Sequence, residues 1–545
     1  MSDSDSDPDS GHDRPNVLVF ICDDLGYGDL ACHGNTVVET PTLDGLHGES
    51  ARLTRFYGGP VCSPARASLM TGRWHYRTGV TDTYKGRSMM AGDEVTMAER
   101  LADAGYRTGL FGKWHLGDNY PMRPHDQGFE EALYHQGGGL CQPAGEPDET
   151  YFDPLLWRNG DPERGDGFCT DAYTDAAVEF VEDHAGDEPF FTYVASNAPH
   201  TPLQCPDEYA EPYLDAGCSE ERARFYGMVS NIDDNVGRLL DALERTGQAE
   251  DTVVVFTSDH GPALHQDEAG RYRAGLRDGK GSVYEGGVRV PCFVRWPDAV
   301  EPRDCDQLAH FVDLFPTLLP ACGADLPTDR TVDGADLRAV LREGERIDDR
   351  RVFLQWHRGD EPDLYRNCAV VEDRFKLVNG DELYDLAADP GEHRNVAADH
   401  PEVVTRLREA YEEWFADVSG TRGYEPPRIA VGTDHENPTR LTRQEAQCAR
   451  DGGGWTADDA IYYWELDAAE GSYDVTVDFR SREVDGARAR VRFGDDEATA
   501  PVTGWQSTCT FEGVDPGAGE ARLEAWVETD HDRFGVRYAT VERTD

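Results

Sequence analysis

Asn16-Val17-Leu18-Val19-Phe20-Ile21-Cys22-Asp23-Asp24 is a nearly unbroken apolar run that stops at two carboxylates. β-Prone residues without alternation fit a strand buried on both faces of a parallel sheet. The carboxyl end of such a strand is where open α/β sheets place their ligands, and two adjacent carboxylates there favour a hard cation. Asp is also common in turns, and Leu25-Gly26-Tyr27-Gly28 is turn-like, so on these residues alone a metal site and a turn cap weigh about equally. The pattern repeats. Thr252 to Ser258 is a second such run, ending in Asp259-His260-Gly261, and Phe190 to Ser196 is a third, followed by Asn197-Ala198-Pro199-His200-Thr201-Pro202. Helical patterns lie between them, Asp175 to His184 and Phe225 to Thr246, the latter with Ile232, Val236, Leu239, Leu240 and Leu243 on one face. The expected class is α/β.

Val61-Cys62-Ser63-Pro64-Ala65-Arg66-Ala67-Ser68-Leu69-Met70-Thr71-Gly72-Arg73 reads as a loop carrying a nucleophile into the start of a helix, with Gly72 placed to end it. A side chain there faces unpaired N–H groups and the positive end of the helix dipole, which suits an anionic reacting centre. Arg66 adds a permanent cation about one turn on. The plainer reading is a buried Cys beside a turn Pro.

Thr96 to Ala104 reads as a short helix, with Thr96 and Glu99 at capping-box spacing and Met97, Leu101 and Ala104 on one face. Gly105-Tyr106-Arg107-Thr108-Gly109-Leu110-Phe111-Gly112-Lys113-Trp114-His115-Leu116-Gly117 follows as a strand entering a glycine-rich loop. Lys113 and His115, two apart, are expected to point the same way from an extended segment. Lysine is scarce: Lys85, Lys113, Lys280 and Lys376 are the four among 52 basic residues. Each is a candidate for a task a guanidinium cannot perform, with chance the expected account of Lys85 and Lys376, the latter taken as a surface residue.

Cys62-Ser63-Pro64-Ala65-Arg66, with Leu69 and Thr71-Gly72-Arg73, resembles the signature of the type I sulfatases, the formylglycine-dependent, arylsulfatase-like members of the alkaline phosphatase superfamily. Ala65 stands where that family often has Ser. Gly105 to Gly117 is similar to the second signature, and Asp23-Asp24, the Pro199-His200-Thr201-Pro202 loop, Asp259-His260 and Lys280 within Leu276 to Pro291 complete the family's order. The resemblance implies an alkaline-phosphatase-like α/β/α sandwich with a smaller antiparallel C-terminal subdomain. It implies that a formylglycine-generating enzyme converts Cys62, whose hydrated aldehyde is the nucleophile. One calcium ion would be held by Asp23, Asp24, Asp259, His260 and the modified Cys62, and it would stabilise the alkoxide form of the nucleophile. His260 is less frequent there than Asn, and a ring nitrogen is an imperfect donor to calcium. Arg66 would orient the modified side chain, and Lys113 and Lys280 would bind sulfate oxygens. His200 or Lys280 would protonate the departing alcohol, and His115 would assist breakdown of the sulfo-enzyme. The implied substrate is a sulfated carbohydrate or an aryl sulfate. Two alternatives stay open: a phosphonate monoester or phosphodiester hydrolase of the same superfamily, and a non-catalytic sulfated-glycan-binding protein in which Cys62 stays a thiol.

The chain's 545 residues and formal charge of -54 frame these readings. So long a chain calls for two or three domains, and so negative a one repels nucleic acid and anionic membranes. With 38% hydrophobic residues, 10 Trp and 23 Tyr it has the means for packed cores. The charge reads as a salt-adapted surface, hydrated by dense carboxylates and screened by cations. Thirteen Cys without C-x-x-C pairs or zinc-like spacing argue against a structural zinc site and fit a reducing compartment. Met1 to Pro15 lack the apolar segment of a secretory signal, which points to the cytoplasm.

Four segments are expected: an acidic disordered tail over 1–15, a catalytic domain over 16–345, an antiparallel subdomain over 346–420 and an accessory β-sandwich over 421–545. His135-Gln136-Gly137-Gly138-Gly139 is placed in a loop at the substrate entrance. The subdomain draws on Arg351 to Trp356, Cys368 to Val371, Phe375 to Val378, Glu382 to Leu386 and a helix from Pro401 to Ala416. The sandwich draws on Ile461 to Leu466, Tyr473 to Phe479, Ala489 to Phe493, Leu523 to Val527 and Phe534 to Val541. Carbohydrate contact through Trp455, Trp464, Trp505 or Trp526 is one role for it, and aromatic core packing is the other.

Overall fold

The computed structural model describes residues 14–142, 144, 149–186, 188–264, 271–450, 460–479 and 486–545. Asn16–Cys22 is a strand buried at every position, and it pairs in parallel with Phe190–Ala195 on one side and Thr252–Ser258 on the other. Arg107–Lys113 continues the parallel set beyond Phe190–Ala195, and Glu131–His135 beyond that. Antiparallel pairings extend both flanks, one of them ending in a further parallel pair, Ala51–Leu53 with Arg303–Cys305, giving a 10-stranded sheet.

Strand alternation divides the core between the two faces of this sheet. Val17, Val19 and Ile21 pack into a cluster with Ala67, Leu69 and Met70 of the helix Cys62–Thr71. Leu18 and Phe20 pack oppositely, with Phe180 of Cys169–Asp183 and Ile232, Val236 and Leu239 of Glu220–Thr246. Helices on both faces of a largely parallel sheet make the α/β/α sandwich. The long helix begins at Glu220, five residues before the expected start at Phe225, because Ser219 caps it, accepting from Arg222 N–H, and it stops at Gly247 with φ 74°.

A four-stranded antiparallel sheet follows, Arg351–Gln355, Cys368–Glu372, Phe375–Val378 and Glu382–Asp385, covered by the helix Pro401–Arg422. Lys376 is not a surface residue. It is fully buried in this sheet, where Glu285 and Glu392 neutralise it.

The last part is a β-sandwich of a seven-stranded and a four-stranded sheet around one hydrophobic core. Trp464 belongs to that core and is fully buried. Trp526 is also buried, whereas Trp505 is 69% exposed; Trp455 lies outside the described residues. The stretch Phe534 to Val541 is two strands rather than one. Arg533–Gly535 pairs in the larger sheet and Tyr538–Arg543 in the smaller, so the chain switches sheets between them, as at the corners of such sandwiches. Met89 and Met122, from the catalytic half, pack into the sandwich core.

The tail expected over residues 1–15 lies outside the described residues up to residue 13. Arg14 and Pro15 are anchored: Tyr106 Oη donates to the Pro15 carbonyl at 2.9 Å, and the Arg14 guanidinium lies 4.9 Å over the Tyr106 ring. Among the described residues, no helix is long and apolar enough to cross a membrane.

Candidate active site

Parallel pairing brings several strand ends into register. Cys22 lies opposite Ser258, and Ala195 opposite both Ile21 and Gly112. Backbone bonds tie the next residues together: Asp259 N–H donates to the Cys22 carbonyl, and Asp23 N–H to the Ala198 carbonyl. The close approach has a steric condition at Gly112, which has φ 119° and where a Cβ would stand 2.0 Å from the Ala195 carbonyl oxygen.

Cys62 is the first residue of the helix Cys62–Thr71, which ends at Gly72 in the left-handed conformation. Its Sγ lies 3.2 Å from His260 Nε2 and 3.5 Å from Asp23 Oδ1. Burial and the Asp23 carboxylate push the thiol up, but Lys113, Lys280 and His260 outweigh them and bring it down to about 6. The sulfur is held where negative charge is favoured.

Two ammonium groups close on the paired carboxylates. Lys113 Nζ is 2.6 Å from Asp23 Oδ2, and Lys280 Nζ is 2.6 Å from Asp24 Oδ1. Burial raises the Asp23 carboxyl, yet Lys113, with His200, Lys280 and Arg66, holds it well below the usual carboxylate range. Asp24 is lowered too: burial and the Asp23 charge raise it, but Lys280, His200 and His260 together outweigh them. Arg66, also buried, donates from Nη2 at 2.9 Å and Nε at 3.2 Å to Asp259 Oδ2, and from Nη1 at 3.0 Å to the Lys113 carbonyl. Its guanidinium therefore ties Asp259 to the end of the Lys113 strand.

The ligand atoms of Asp23, Asp24, Cys62 and His260 lie within 4.8 Å of one another. That is the span across one calcium coordination shell, whose bonds are about 2.3–2.6 Å. Asp259 stands at its edge, Oδ1 3.3 Å from His260 Nε2 and accepting from Asp24 N–H at 3.4 Å. This buried set of carboxylate oxygens with one imidazole suits a metal ion.

His200 and His115 flank the cluster. His200 Nδ1 is 2.7 Å from the Thr201 carbonyl, to which it donates, leaving Nε2 3.9 Å from Asp24 Oδ2. His115 does not share a strand face with Lys113. The strand ends at Lys113 and His115 has φ 61°, so side-chain alternation no longer applies. Its Nε2 lies 2.9 Å from the Thr83 carbonyl and 3.2 Å from Gln444 Nε2. The ring is buried, and burial followed by Lys113 holds it well below the ordinary histidine range, keeping it neutral. Gly137, Gly138 and Gly139 are buried rather than open to solvent, and Gly138 lies against this ring, where a Cβ would stand 2.6 Å from His115 Nε2. Thr83 and Gln444 were assigned no role from sequence.

Comparison with known proteins gives the same outline. The family model described as Sulfatase matches residues 15–324, and that described as N-sulphoglucosamine sulphohydrolase, C-terminal, matches 275–416. Human arylsulfatase A is 34% identical over 483 residues, covering 77% of this chain and 91% of that protein. Human N-acetylgalactosamine-6-sulfatase is 33% identical over 371 residues, covering 64% of this chain and 69% of that protein. Among solved structures, Ps i-CgsB in complex with k-i-k-neocarrahexaose superposes with TM-score 0.69 at 29% identity, over 75% of this chain and 95% of that one. The phosphonate monoester hydrolase of Agrobacterium radiobacter, at 24% identity and TM-score 0.51, shares the fold. A family model matching more than half the chain, over the strand ends that gather these side chains, places the protein in the sulfatase family, as a type I sulfatase of the alkaline phosphatase superfamily.

Proposed function

We propose that the protein hydrolyses the sulfate ester of a sulfated carbohydrate, releasing the alcohol and inorganic sulfate, with Cys62 converted to formylglycine by a formylglycine-generating enzyme. The observation carrying this reading is Cys62 Sγ at a helix N-terminus, 3.2 Å from His260 Nε2 and 3.5 Å from Asp23 Oδ1, beside two lysine ammonium groups. The modification would supply a geminal diol in place of a thiol, whose second hydroxyl allows sulfate to leave by elimination rather than by attack of water. Asp23, Asp24, Asp259 and His260 would hold calcium, which would supply positive charge for sulfate oxygens and the nucleophile.

The remaining work belongs to the chain's own side chains. Lys113 and Lys280 bind sulfate oxygens, each as a compact point charge. His200 delivers a proton from Nε2 to the leaving alcohol oxygen, its other nitrogen being committed to the Thr201 carbonyl. His115, neutral, accepts a proton as sulfate departs. Arg66 keeps Asp259 and the Lys113 strand end in place.

A carbohydrate is favoured over a simple aryl sulfate by the relatives, one named for N-acetylgalactosamine 6-sulfate and one solved with a neocarrahexaose. The test is mass spectrometry of the Cys62 peptide from protein made with its native modifying enzyme, beside turnover of an aryl sulfate and an aryl phosphodiester. An aldehyde at Cys62, faster sulfate release and an inert Cys62→Ala variant are expected. A fully active protein with an unmodified thiol would sink the reading.

A further inference from the structure

The C-terminal sandwich sends a turn into the catalytic half. It joins the strands Thr439–Thr442 and Gln447–Arg450, and its residues Arg443, Gln444 and Glu445 are all buried. Gln444 Nε2 donates to the Thr83 carbonyl at 2.7 Å and to Ser88 Oγ at 3.1 Å, and the Gln444 carbonyl accepts from Gly86 N–H at 3.1 Å. Glu445 accepts from Asp118 N–H. The turn therefore grips both the loop around Thr83 and the segment after His115.

The protonation pattern follows from these contacts. A carbonyl oxygen only accepts, so a His115 Nε2 standing 2.9 Å from the Thr83 carbonyl carries the hydrogen. An unprotonated Nε2 would set two lone pairs against each other. The 3.2 Å approach of Gln444 Nε2 to His115 Nε2 is then that of two donors converging on the two lone pairs of one carbonyl. The neutral ring keeps its lone pair on Nδ1, and that atom is buried with no hydrogen-bond partner among the described residues. Gly138 packs beside the Cε1–Nε2 edge of the ring, where a Cβ would stand 2.6 Å from both atoms.

We propose that Gln444 is a positioning residue of the active site, supplied by the sandwich. It fixes the Thr83 carbonyl, and through it the tautomer and pose of His115, so that Nδ1 is presented as the proton acceptor. The site is thus completed from a part of the chain outside both matched family regions, which end at residues 324 and 416. This rests on the role given to His115 above.

Gln444→Met keeps the side-chain length and removes both N–H donors. With an aryl sulfate, kcat is expected to fall roughly tenfold to a hundredfold, within what a positioned base contributes, while KM stays within about twofold. In a His115→Ala background the same substitution is expected to add nothing, because the two act as one unit. An unchanged kcat, or an equal loss in both backgrounds, overturns the proposal. Gln444→Glu also lacks the donor, and serves by the same criteria if the Met variant does not fold. A second readout needs no turnover: the nitrogen spectrum of 15N-histidine-labelled protein, with His115 assigned by its loss in His115→Ala. A protonated Nε2 and bare Nδ1 are expected, giving way to mixed tautomers in Gln444→Met. A protonated Nδ1 in the unsubstituted protein overturns the proposal whether or not sulfate is released. The expected tautomer in a protein inert on sulfate esters overturns the role given to His115, and the proposal with it.

Discussion

Lys376 Nζ stands 2.9 Å from Glu285 Oε1, and neither side chain reaches water. Glu392 Oε1 is 3.0 Å from the same ammonium, and Tyr57 Oη donates to Glu285 Oε1 at 3.0 Å. Removing one member of a buried ion pair leaves its partner charged and unsolvated, at a cost of about 3–5 kcal/mol. Lys376→Met is therefore expected to lower unfolding stability by about that amount, read from urea or guanidinium titrations. A loss below about 1 kcal/mol, ordinary for a surface lysine, would show that the network carries no net stability.

Lys280 is expected to behave in the opposite way. Its ammonium is 2.6 Å from Asp24 Oδ1, with its side chain 16% exposed, at the open side of the cluster. In Lys280→Arg the charge stays, but a planar fork replaces a point donor. kcat/KM on an aryl sulfate should fall by about 10²-fold or more, with Tm nearly unchanged. Equal kcat/KM values at matched formylglycine content would remove Lys280 from the sulfate.

What could be read from sequence was local. The apolar runs Asn16–Cys22 and Thr252–Ser258 declare buried strands by composition, and their terminal Asp residues follow directly. The capping box at Thr96 and Glu99 is present as spacing alone suggests. What was illegible depends on pairs far apart in the chain. Lys376 looked accidental because Glu285 lies 91 residues away, and Gln444 carried no signal because it meets His115 across 329 residues. His115 itself was misaimed because a positive φ breaks the two-residue period, and no neighbouring residue announces one.

The carboxylate cluster predicts linkage between metal and stability. A cation bound by the folded chain and not by the unfolded one adds RT ln(1 + [L]/Kd), about 2.7 kcal/mol at a hundredfold excess over Kd. Calcium is expected to raise Tm over protein treated with a chelator, and Asp24→Asn to shrink the increment. Superimposable melts with and without calcium would argue against a metal in this cluster.

Asp118 and Glu445 give the catalytic half and the sandwich a pH-dependent junction. Burial pushes Asp118 up to about 7 despite the hydrogen bond from Gly137 N–H. Burial, then the charge of Asp118, holds Glu445 well above the usual carboxylate range. A carboxyl with a raised folded pKa binds more protons folded than unfolded. Its contribution is complete below the unfolded value near pH 4 and is lost as pH rises through the folded value, at up to about 1.4 kcal/mol per pH unit per proton. Stability should thus fall between pH 5 and 7, and Glu445→Gln should flatten that slope and match or exceed the unsubstituted protein at pH 8. Parallel profiles would place the pair outside the linkage.

Salt should act on the molecule as a whole, and two opposing effects decide the sign. The surface carries many Arg–carboxylate pairs, such as Arg374 with Asp385 and Arg522 with Glu465, and screening weakens each of them. Exposed pairs contribute only about 0–1 kcal/mol apiece, so that loss is limited. Against it stands repulsion among the excess carboxylates, since 106 acidic residues face 52 basic ones. Even if every basic residue were paired, the formal charge of -54 would remain. The Debye length shrinks from about 10 Å at 0.1 M to about 3 Å at 1 M salt, which removes most repulsion between neighbouring surface groups. Unfolding spreads the same charges apart, so the relief favours the compact state. Tm is therefore expected to rise steadily from low to molar potassium chloride, an ion choice that keeps specific stabilisation by sulfate out of the comparison. A Tm that is flat or falling over that range would mean that the ion pairs outweigh the excess charge, and the acidic surface would then need another explanation than salt adaptation.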